Sequence, residues 1–234
     1  MIVKLGSAPE ELTARRGDFE HWFARGLDFD LGDCLVINPA DDEPLPEPST
    51  CRGVVLTGSD AMLTDNPEWS LRTQTWLERV LAQDRAVLGV CYGHQLLAQT
   101  LGGRVDWSPA GEEIGTIAID LTDIGREDPL FEGLPSTLVM QASHSQSVIE
   151  LPPGARWLAR NAHDPVQAFA MGSNAWGLQF HPEFDAHVSR FYIEDDREKL
   201  QEQGRDPDRL MRAVRDSDHG RMLLRRFAAY LNDR

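Results

Sequence analysis

Gly89-Val90-Cys91-Tyr92-Gly93-His94-Gln95 is the stretch on which the reading of this chain turns. The apolar run Ala86-Val87-Leu88-Gly89-Val90 leads into it. Leu96-Leu97-Ala98-Gln99-Thr100-Leu101 follows and ends at Gly102-Gly103. This order predicts a short buried strand that runs into a helix, with Cys91 at the corner. Gly89 and Gly93 flank the cysteine two residues to either side, where a tight turn leaves no room for side chains. The pattern is that of a nucleophile elbow, with sulfur in place of a serine oxygen. The position suits a thiolate, because unpaired N–H groups and the positive end of the helix dipole both favour the anion.

Working outward, the partner for such a sulfur lies far along the chain. Trp176-Gly177-Leu178-Gln179-Phe180 reads as a second buried strand and ends in His181-Pro182-Glu183. Pro182 stops the ladder and fixes the chain direction. A histidine at that strand end can serve Cys91 as general base. Glu183 can turn back to hold the imidazole tautomer and stabilise the imidazolium. The expected set is Cys91, His181 and Glu183.

The remaining elements frame these two motifs. Strands are expected at residues 2–5, 35–37 and 53–56, the last ending in Thr57-Gly58-Ser59-Asp60. Ser7-Ala8-Pro9-Glu10 has capping-box spacing ahead of a helix carrying Leu12, Phe19 and Phe23. Residues 39–50, with Pro39, Pro44, Pro46 and Pro48, read as an exposed loop. Asn66 is expected to cap a helix with Pro67 at its first position and Trp69, Thr73, Trp76, Leu77 and Val80 on its buried face. Solid apolar strands alternating with helices mean an open, mostly parallel sheet covered on both faces, a flavodoxin-like α/β fold. From residue 104 the pattern becomes alternating, with short strands near 115–121, 137–142, 156–160, 166–171 and 175–180. It reads as a small mixed or antiparallel extension. Phe184, Val188, Phe191 and Tyr192 form a helical stripe. The charge-dense segment 194–209 reads as exposed connection or frayed helix, and Leu223, Phe227, Tyr230 and Leu231 mark a last amphipathic helix. The whole, residues 1–234, is expected to be a single domain, with residues 190–234 a helical C-terminal extension.

Composition narrows the function classes. A chain of 234 residues suffices for a substantial core. A net charge of −15 argues against a nucleic-acid partner, which wants a basic face. No apolar run approaches a membrane span, and the start of the chain is too short an apolar run for a signal peptide, so no membrane association is expected. Cys34, Cys51 and Cys91 are odd in number and cannot all pair, which favours a reducing, cytoplasmic setting. His21, His94, His144, His163, His181, His187 and His219 show no metal-ligand spacing. There is also no phosphate-binding glycine loop, so neither metal nor cofactor is expected. Cys34 and Cys51, beside apolar strands, read as packing residues, and His94 as structural.

The two motifs resemble those of the class I glutamine amidotransferases. Cys91-Tyr92-Gly93-His94-Gln95-Leu96-Leu97-Ala98 through Leu101-Gly102-Gly103 is similar to the glutaminase domain of the GMP synthase branch. Phe180-His181-Pro182-Glu183-Phe184 matches the family's second motif, and Ser143-His144-Ser145-Gln146-Ser147-Val148 resembles its Ser-His-Gly-Asp-x-Val loop. The resemblance spans about residues 50–190 in the right order. It implies attack on a carboxamide, which creates an oxyanion needing two N–H donors. Tyr92 offers one, and Gly58 is the candidate for the other. The family usually has Gly-Gly-Pro where this chain has Thr57-Gly58-Ser59. The resemblance implies that Gln95, one helical turn beyond Cys91, binds the substrate glutamine, and that Ser143, His144 and Ser145 grip its amino-acid end. Ser145-Gln146 in place of Gly-Asp departs from that loop. The fifty or so residues after the His-Pro-Glu motif depart from it too.

Two enzymatic readings follow. One is a glutaminase that releases ammonia for a synthetase on another chain, since no synthetase domain is present here. The other is a stand-alone γ-glutamyl peptidase acting on glutathione-like conjugates. A glutamine side chain and a γ-glutamyl peptide present the same carbonyl, so the triad does not separate them. A non-catalytic regulatory module on the same fold is the alternative from another class, and the intact Cys, His and Glu weigh against it. A cysteine-based stress protein of related architecture would not need His-Pro-Glu at a strand end.

Overall fold

The apolar runs become the middle of one large sheet. The computed structural model describes residues 1–233. Its strands are β1 (Ile2–Val3), β2 (Val36–Ile37), β3 (Gly53–Leu56), β4 (Ala86–Val90), β5 (Arg104–Trp107), β6 (Glu113–Leu121), β7 (Thr137–His144), β8 (Gln146–Glu150), β9 (Arg156–Arg160), β10 (Ala168–Met171) and β11 (Ala175–Leu178). The helices are α1 (Glu10–Arg16), α2 (Phe19–Leu27), α3 (Glu68–Ala82), α4 (Tyr92–Thr100), α5 (Asp123–Glu127), α6 (Ala186–Asp195), α7 (Arg197–Glu202), α8 (Pro207–Ala213) and α9 (His219–Asn232).

The main sheet runs β2-β1-β3-β4-β11-β10-β9-β6-β7, and β5 pairs with β8 in a small antiparallel sheet. The strands from β2 to β11 are parallel, and those beyond β11 are antiparallel. The expected extension is thus the other half of the same sheet, together with the β5–β8 ribbon. All five residues of β4 are buried, because helices cover both faces. On one face Phe19, Trp22, Phe23, Trp176, Leu223 and Phe227 pack together. On the other, Trp76, Leu77, Val80, Leu96 and Leu97 do. Each such side chain contributes about 1.5–3 kcal/mol by burial, so truncating a central one such as Leu88 to alanine should cost ~2–5 kcal/mol.

Register places the motifs together. Leu56 of β3 lies opposite Gly89, and Leu178 of β11 lies opposite Val90. Three parallel strands therefore end side by side, and their continuations bring Gly58, Cys91 and His181 to one edge. Carboxyl ends of parallel strands are where open α/β sheets hold ligands.

Four local expectations change. The capping box is not at Ser7: α1 starts after Pro9 with no side-chain cap, and the box is formed by Asp18 and His21 at α2. Gly17, at φ 74°, separates the two helices where one was expected. Asn66 sits left-handed at φ 49° and closes the preceding turn, so Pro67 is the cap residue of α3. Segment 194–209 holds α7 and the start of α8, with Leu200 fully buried and Pro207 at the first helical turn. Its charges are paired, Arg197 with Glu194 and Asp208 and Lys199 with Glu112, which is why a charge count alone misread it. Among the described residues, no helix is long and apolar enough to cross a membrane.

Candidate active site

The elbow is set by three close approaches of backbone. Cys91 has φ 52° and ψ −106°, and its N–H donates to the Leu178 carbonyl at 2.8 Å. A positive φ at a residue with a side chain costs about 1–3 kcal/mol and persists only where the surroundings impose it. Here they do. A Cβ on Gly89 would stand 2.3 Å from the Gly93 carbonyl oxygen, and one on Gly93 would stand 2.5 Å from the Leu56 oxygen. The strand, the turn and β3 are packed backbone to backbone. Cys91 is 6% exposed, and its Sγ donates to the Ser143 carbonyl at 3.7 Å.

His181 reaches the same point from β11. Its N–H donates to the Gln141 carbonyl at 2.8 Å, which ties it to β7. Its Nδ1 donates to Glu183 Oε1 at 2.7 Å, and the Phe184 ring stacks on the imidazole with centroids 3.9 Å apart. The Glu183 side chain is fully buried. Burial alone would lower the His181 pKa. The Glu183 carboxylate and the neighbouring Cys91 sulfur outweigh it and push the imidazole up to about 10. A sulfur in a strained corner, an imidazole turned to it and a carboxylate behind the imidazole can together attack a carbonyl and protonate a departing nitrogen.

Tyr92 and Gly58, the expected oxyanion donors, lie beside the same point. The Tyr92 N–H belongs to the first turn of α4, where helix N–H groups have no intrahelical acceptor. The Tyr92 side chain points away, its hydroxyl donating to Ser70 Oγ at 2.8 Å. Gly58 lies against the Cys–His pair: a Cβ there would be 3.0 Å from His181 Cε1 and 3.7 Å from Cys91 Cβ.

A cavity of about 240 Å³ opens over Cys91, bordered by Gln95, Ser143, His144 and Ser145 as well as by Asp60 and Tyr192. The structure thus gathers every expected site residue, but not all with free side chains. Gln95 Nε2 donates to the Gln146 carbonyl at 2.8 Å and to Gln179 Oε1 at 3.1 Å, so Oε1 is its remaining polar atom. Both nitrogens of His144 are engaged, Nδ1 with the Gln146 carbonyl at 3.1 Å and Nε2 with Glu113 Oε2 at 3.0 Å. Glu113 also accepts from Asn161 and Gln167, at 2.6 Å each. Burial would raise its carboxyl pKa, but the His144 hydrogen bond and charge, with Asn161 and His163 behind them, outweigh burial and hold it below the ordinary range. His94 is fully buried against Phe169, and burial lowers its pKa to about 3. Burial pushes the Cys34 and Cys51 thiols up.

Sequence reading missed part of the wall. Asp60, Glu112, Tyr192, Asp195, Asp196 and Lys199 border the cavity, and the last four come from α6 and the segment after it. Asp60 stood in the quoted Thr57-Gly58-Ser59-Asp60 string. Tyr192 stood in an apolar stripe and gave no sign that its hydroxyl faced the site. The tail also braces the site: Lys199 pairs with Glu112 at 2.7 Å, Gln141 Nε2 donates to the Arg215 carbonyl at 2.8 Å, and Gly220 of α9 is pressed against Pro182.

The sequence model of the family Glutamine amidotransferase class-I matches residues 42–197. Among curated proteins, the GMP synthase [glutamine-hydrolyzing] of Aeropyrum pernix is 37% identical over 71% of this chain, and the match takes in 31% of the relative's length. This chain therefore spans about a third of that longer protein. A separate GMP synthase [glutamine-hydrolyzing] subunit from Methanopyrus kandleri is 31% identical over 71% of this chain and 84% of its own length. Gamma-glutamyl peptidase 4 of Arabidopsis thaliana is 30% identical over 58% of this chain and 55% of its own. Among solved structures, a glutamine amidotransferase from Thermotoga maritima superposes with a TM-score of 0.75 at 23% identity, covering 100% of this chain and 98% of the other. That likeness bears on the fold, and it includes the helices after the His-Pro-Glu motif.

Proposed function

The chain belongs to the class I glutamine amidotransferase family, and from that premise we propose that it hydrolyses a γ-glutamyl amide through a thioester on Cys91. The observation that carries this reading is the strained Cys91 corner with His181 turned to its sulfur and Glu183 held 2.7 Å behind the imidazole.

Cys91 attacks the side-chain carbonyl as a thiolate. The Tyr92 and Gly58 N–H groups receive the developing oxyanion. His181 passes its proton to the departing nitrogen, and the C–N bond breaks. Water then attacks the thioester with His181 as base and releases glutamate. Gln95 and the Ser143–Ser145 segment bind the amino-acid end, the segment mainly through its backbone, because the His144 ring is occupied in holding it in place.

Glutamine is the first substrate we assign, with ammonia passing to a synthetase on a separate chain, in the cytoplasm. The Methanopyrus relative, itself named as a subunit, supports a partner chain. The second reading, a hydrolase of larger γ-glutamyl conjugates, is favoured by a specific observation: Tyr192, Asp195, Asp196 and Lys199 extend the cavity beyond Cys91. On either reading residues 1–234 act as one domain, with the helical tail as part of it. The test is kinetic. The purified protein is assayed with glutamine, with γ-glutamyl dipeptides and with γ-glutamyl alkylamides, with and without cell extract. Extract-stimulated glutaminase activity supports the first reading. Fast unaided cleavage of the dipeptides or the alkylamides with negligible glutaminase activity rejects it for the second.

A further inference from the structure

Four carboxylates border the cavity, Asp60, Glu112, Asp195 and Asp196, against one cation, Lys199. Lys199 is already held, its Nζ 2.7 Å from Glu112 and 3.7 Å from Asp196. Asp60 and Asp195 are solvent-exposed, and their side chains have no ion pair or hydrogen bond among the described residues. Beside them stands Tyr192, 8% exposed, whose buried hydroxyl has no hydrogen-bond partner there. Tyr192 borders the small cleft shared with Cys91 and His181, and burial pushes its hydroxyl's pKa up, with the charges of Asp60, Glu183 and Cys91 adding to the effect. Tyr192 and Asp195 are three residues apart on α6 and share a face.

The direction of departure is fixed by His181, which must protonate the leaving nitrogen. His181 opens on a small cleft of about 20 Å³ bordered by Asp60, Tyr192, Phe184 and Cys91, whereas Gln95 and Ser145 border only the main cavity. The leaving group therefore emerges against Asp60 and Tyr192, with Asp195 one turn further along. The buried, unpartnered Tyr192 hydroxyl needs a hydrogen-bonding group from a ligand, and the two exposed carboxylates beside it favour a ligand that carries positive charge.

We propose that Asp60, Tyr192 and Asp195 form a leaving-group subsite for γ-glutamyl conjugates of amines that carry a second positive charge, of the alkyl diamine class. This rests on the reading of Cys91, His181 and Glu183 as a γ-glutamyl hydrolase, in its second form. The thiolate adds to the γ-carbonyl, and the C–N bond breaks with its electron pair on the amine nitrogen. That nitrogen takes the His181 proton, and water completes the hydrolysis to glutamate and free diamine. Departing ammonia makes no use of Asp195, and an anionic leaving group is repelled by the wall.

The test compares kcat/KM for four substrates of the full chain: γ-glutamyl-4-aminobutylamide, the neutral γ-glutamyl-butylamide, γ-glutamyl-glycine and glutamine. The cationic conjugate is expected to exceed the neutral one by about tenfold or more, and γ-glutamyl-glycine by more still. In the Asp60→Asn/Asp195→Asn double variant the cationic-to-neutral ratio should shrink to about threefold or less. Equal turnover of the cationic and neutral amides, or preference for γ-glutamyl-glycine, overturns the subsite while leaving the hydrolase reading intact. An unchanged ratio in the double variant overturns it as well. Failure to turn over any γ-glutamyl substrate overturns the hydrolase reading, and the subsite with it.

Discussion

Two regions of this molecule contain a buried histidine bonded to a buried carboxylate, and their surroundings differ. Around His181 the pair is His181–Glu183 at 2.7 Å, and around His144 it is His144–Glu113 at 3.0 Å. The second ring nitrogen separates them. In His144 it is closed off by the Gln146 carbonyl, and Glu113 is further shared with Asn161 and Gln167. In His181 the ring is turned to the Cys91 sulfur, with Gly58 leaving room at its edge. A histidine–carboxylate pair is a base only where its free side meets a nucleophile. On the proposed function, His181 is the base and the His144–Glu113 pair braces the segment that faces it.

The sharpest way to break this contrast is to remove each histidine in turn. Cys91→Ala should abolish turnover, and His181→Ala should lower kcat by about 10³-fold or more while also costing stability, because it leaves the buried Glu183 carboxylate unpaired. His144→Ala should instead raise KM more than it lowers kcat, and urea unfolding should show a loss of ~1–3 kcal/mol. A fall in kcat of the same size for both histidines would erase the distinction. The carboxylates divide the same way, with smaller effects. Glu183→Gln should lower kcat about 10²-fold, less than loss of the imidazole, because the amide still orients the ring but no longer stabilises its charge. It should also bring the His181 pKa down from about 10, as read from imidazole NMR signals against pH. Glu113→Gln should leave kcat within about threefold and cost ~1–3 kcal/mol of stability.

The pH dependence of stability sharpens the comparison further. His181 is raised from 6.5 to about 10, so its contribution is fully present below pH 6.5 and is lost as pH rises through about 10. Glu113 is shifted the other way, below its ordinary 4.5, so its contribution is present above that value and disappears as pH falls through the lower folded-state pKa. Urea midpoints in the Glu183→Gln variant should flatten on the alkaline side, and those in Glu113→Gln on the acid side. Any cross-effect should be the smallest change of the series.

How much of this was legible in the chain follows from what each signal encodes. The elbow was readable because the close approaches at Gly89 and Gly93 admit only glycine, and glycine is visible in a sequence. His181 and Glu183 were readable because Pro182 marks the strand end between them. The parallel half of the sheet was readable from its solid apolar runs. The antiparallel half was seen strand by strand but not joined, since an alternating strand does not tell which edge it pairs with. Residues 194–209 were misjudged because their charges pair across distant segments, Lys199 with Glu112 for one. The roles of Tyr192 and Asp195 depend on where α6 packs, and no local pattern carries that.

The central claim is that Cys91 alone among the three thiols is built for attack on a γ-glutamyl carbonyl. The direct measurement treats the folded protein with a chloroketone analogue of glutamine and locates the label by mass spectrometry. Cys91 should be alkylated while Cys34 and Cys51, whose thiols burial holds protonated, are spared. Added glutamine should slow the labelling, and His181→Ala should slow it by about 10²-fold or more. Equal labelling of all three cysteines, unaffected by glutamine or by loss of His181, would contradict the account.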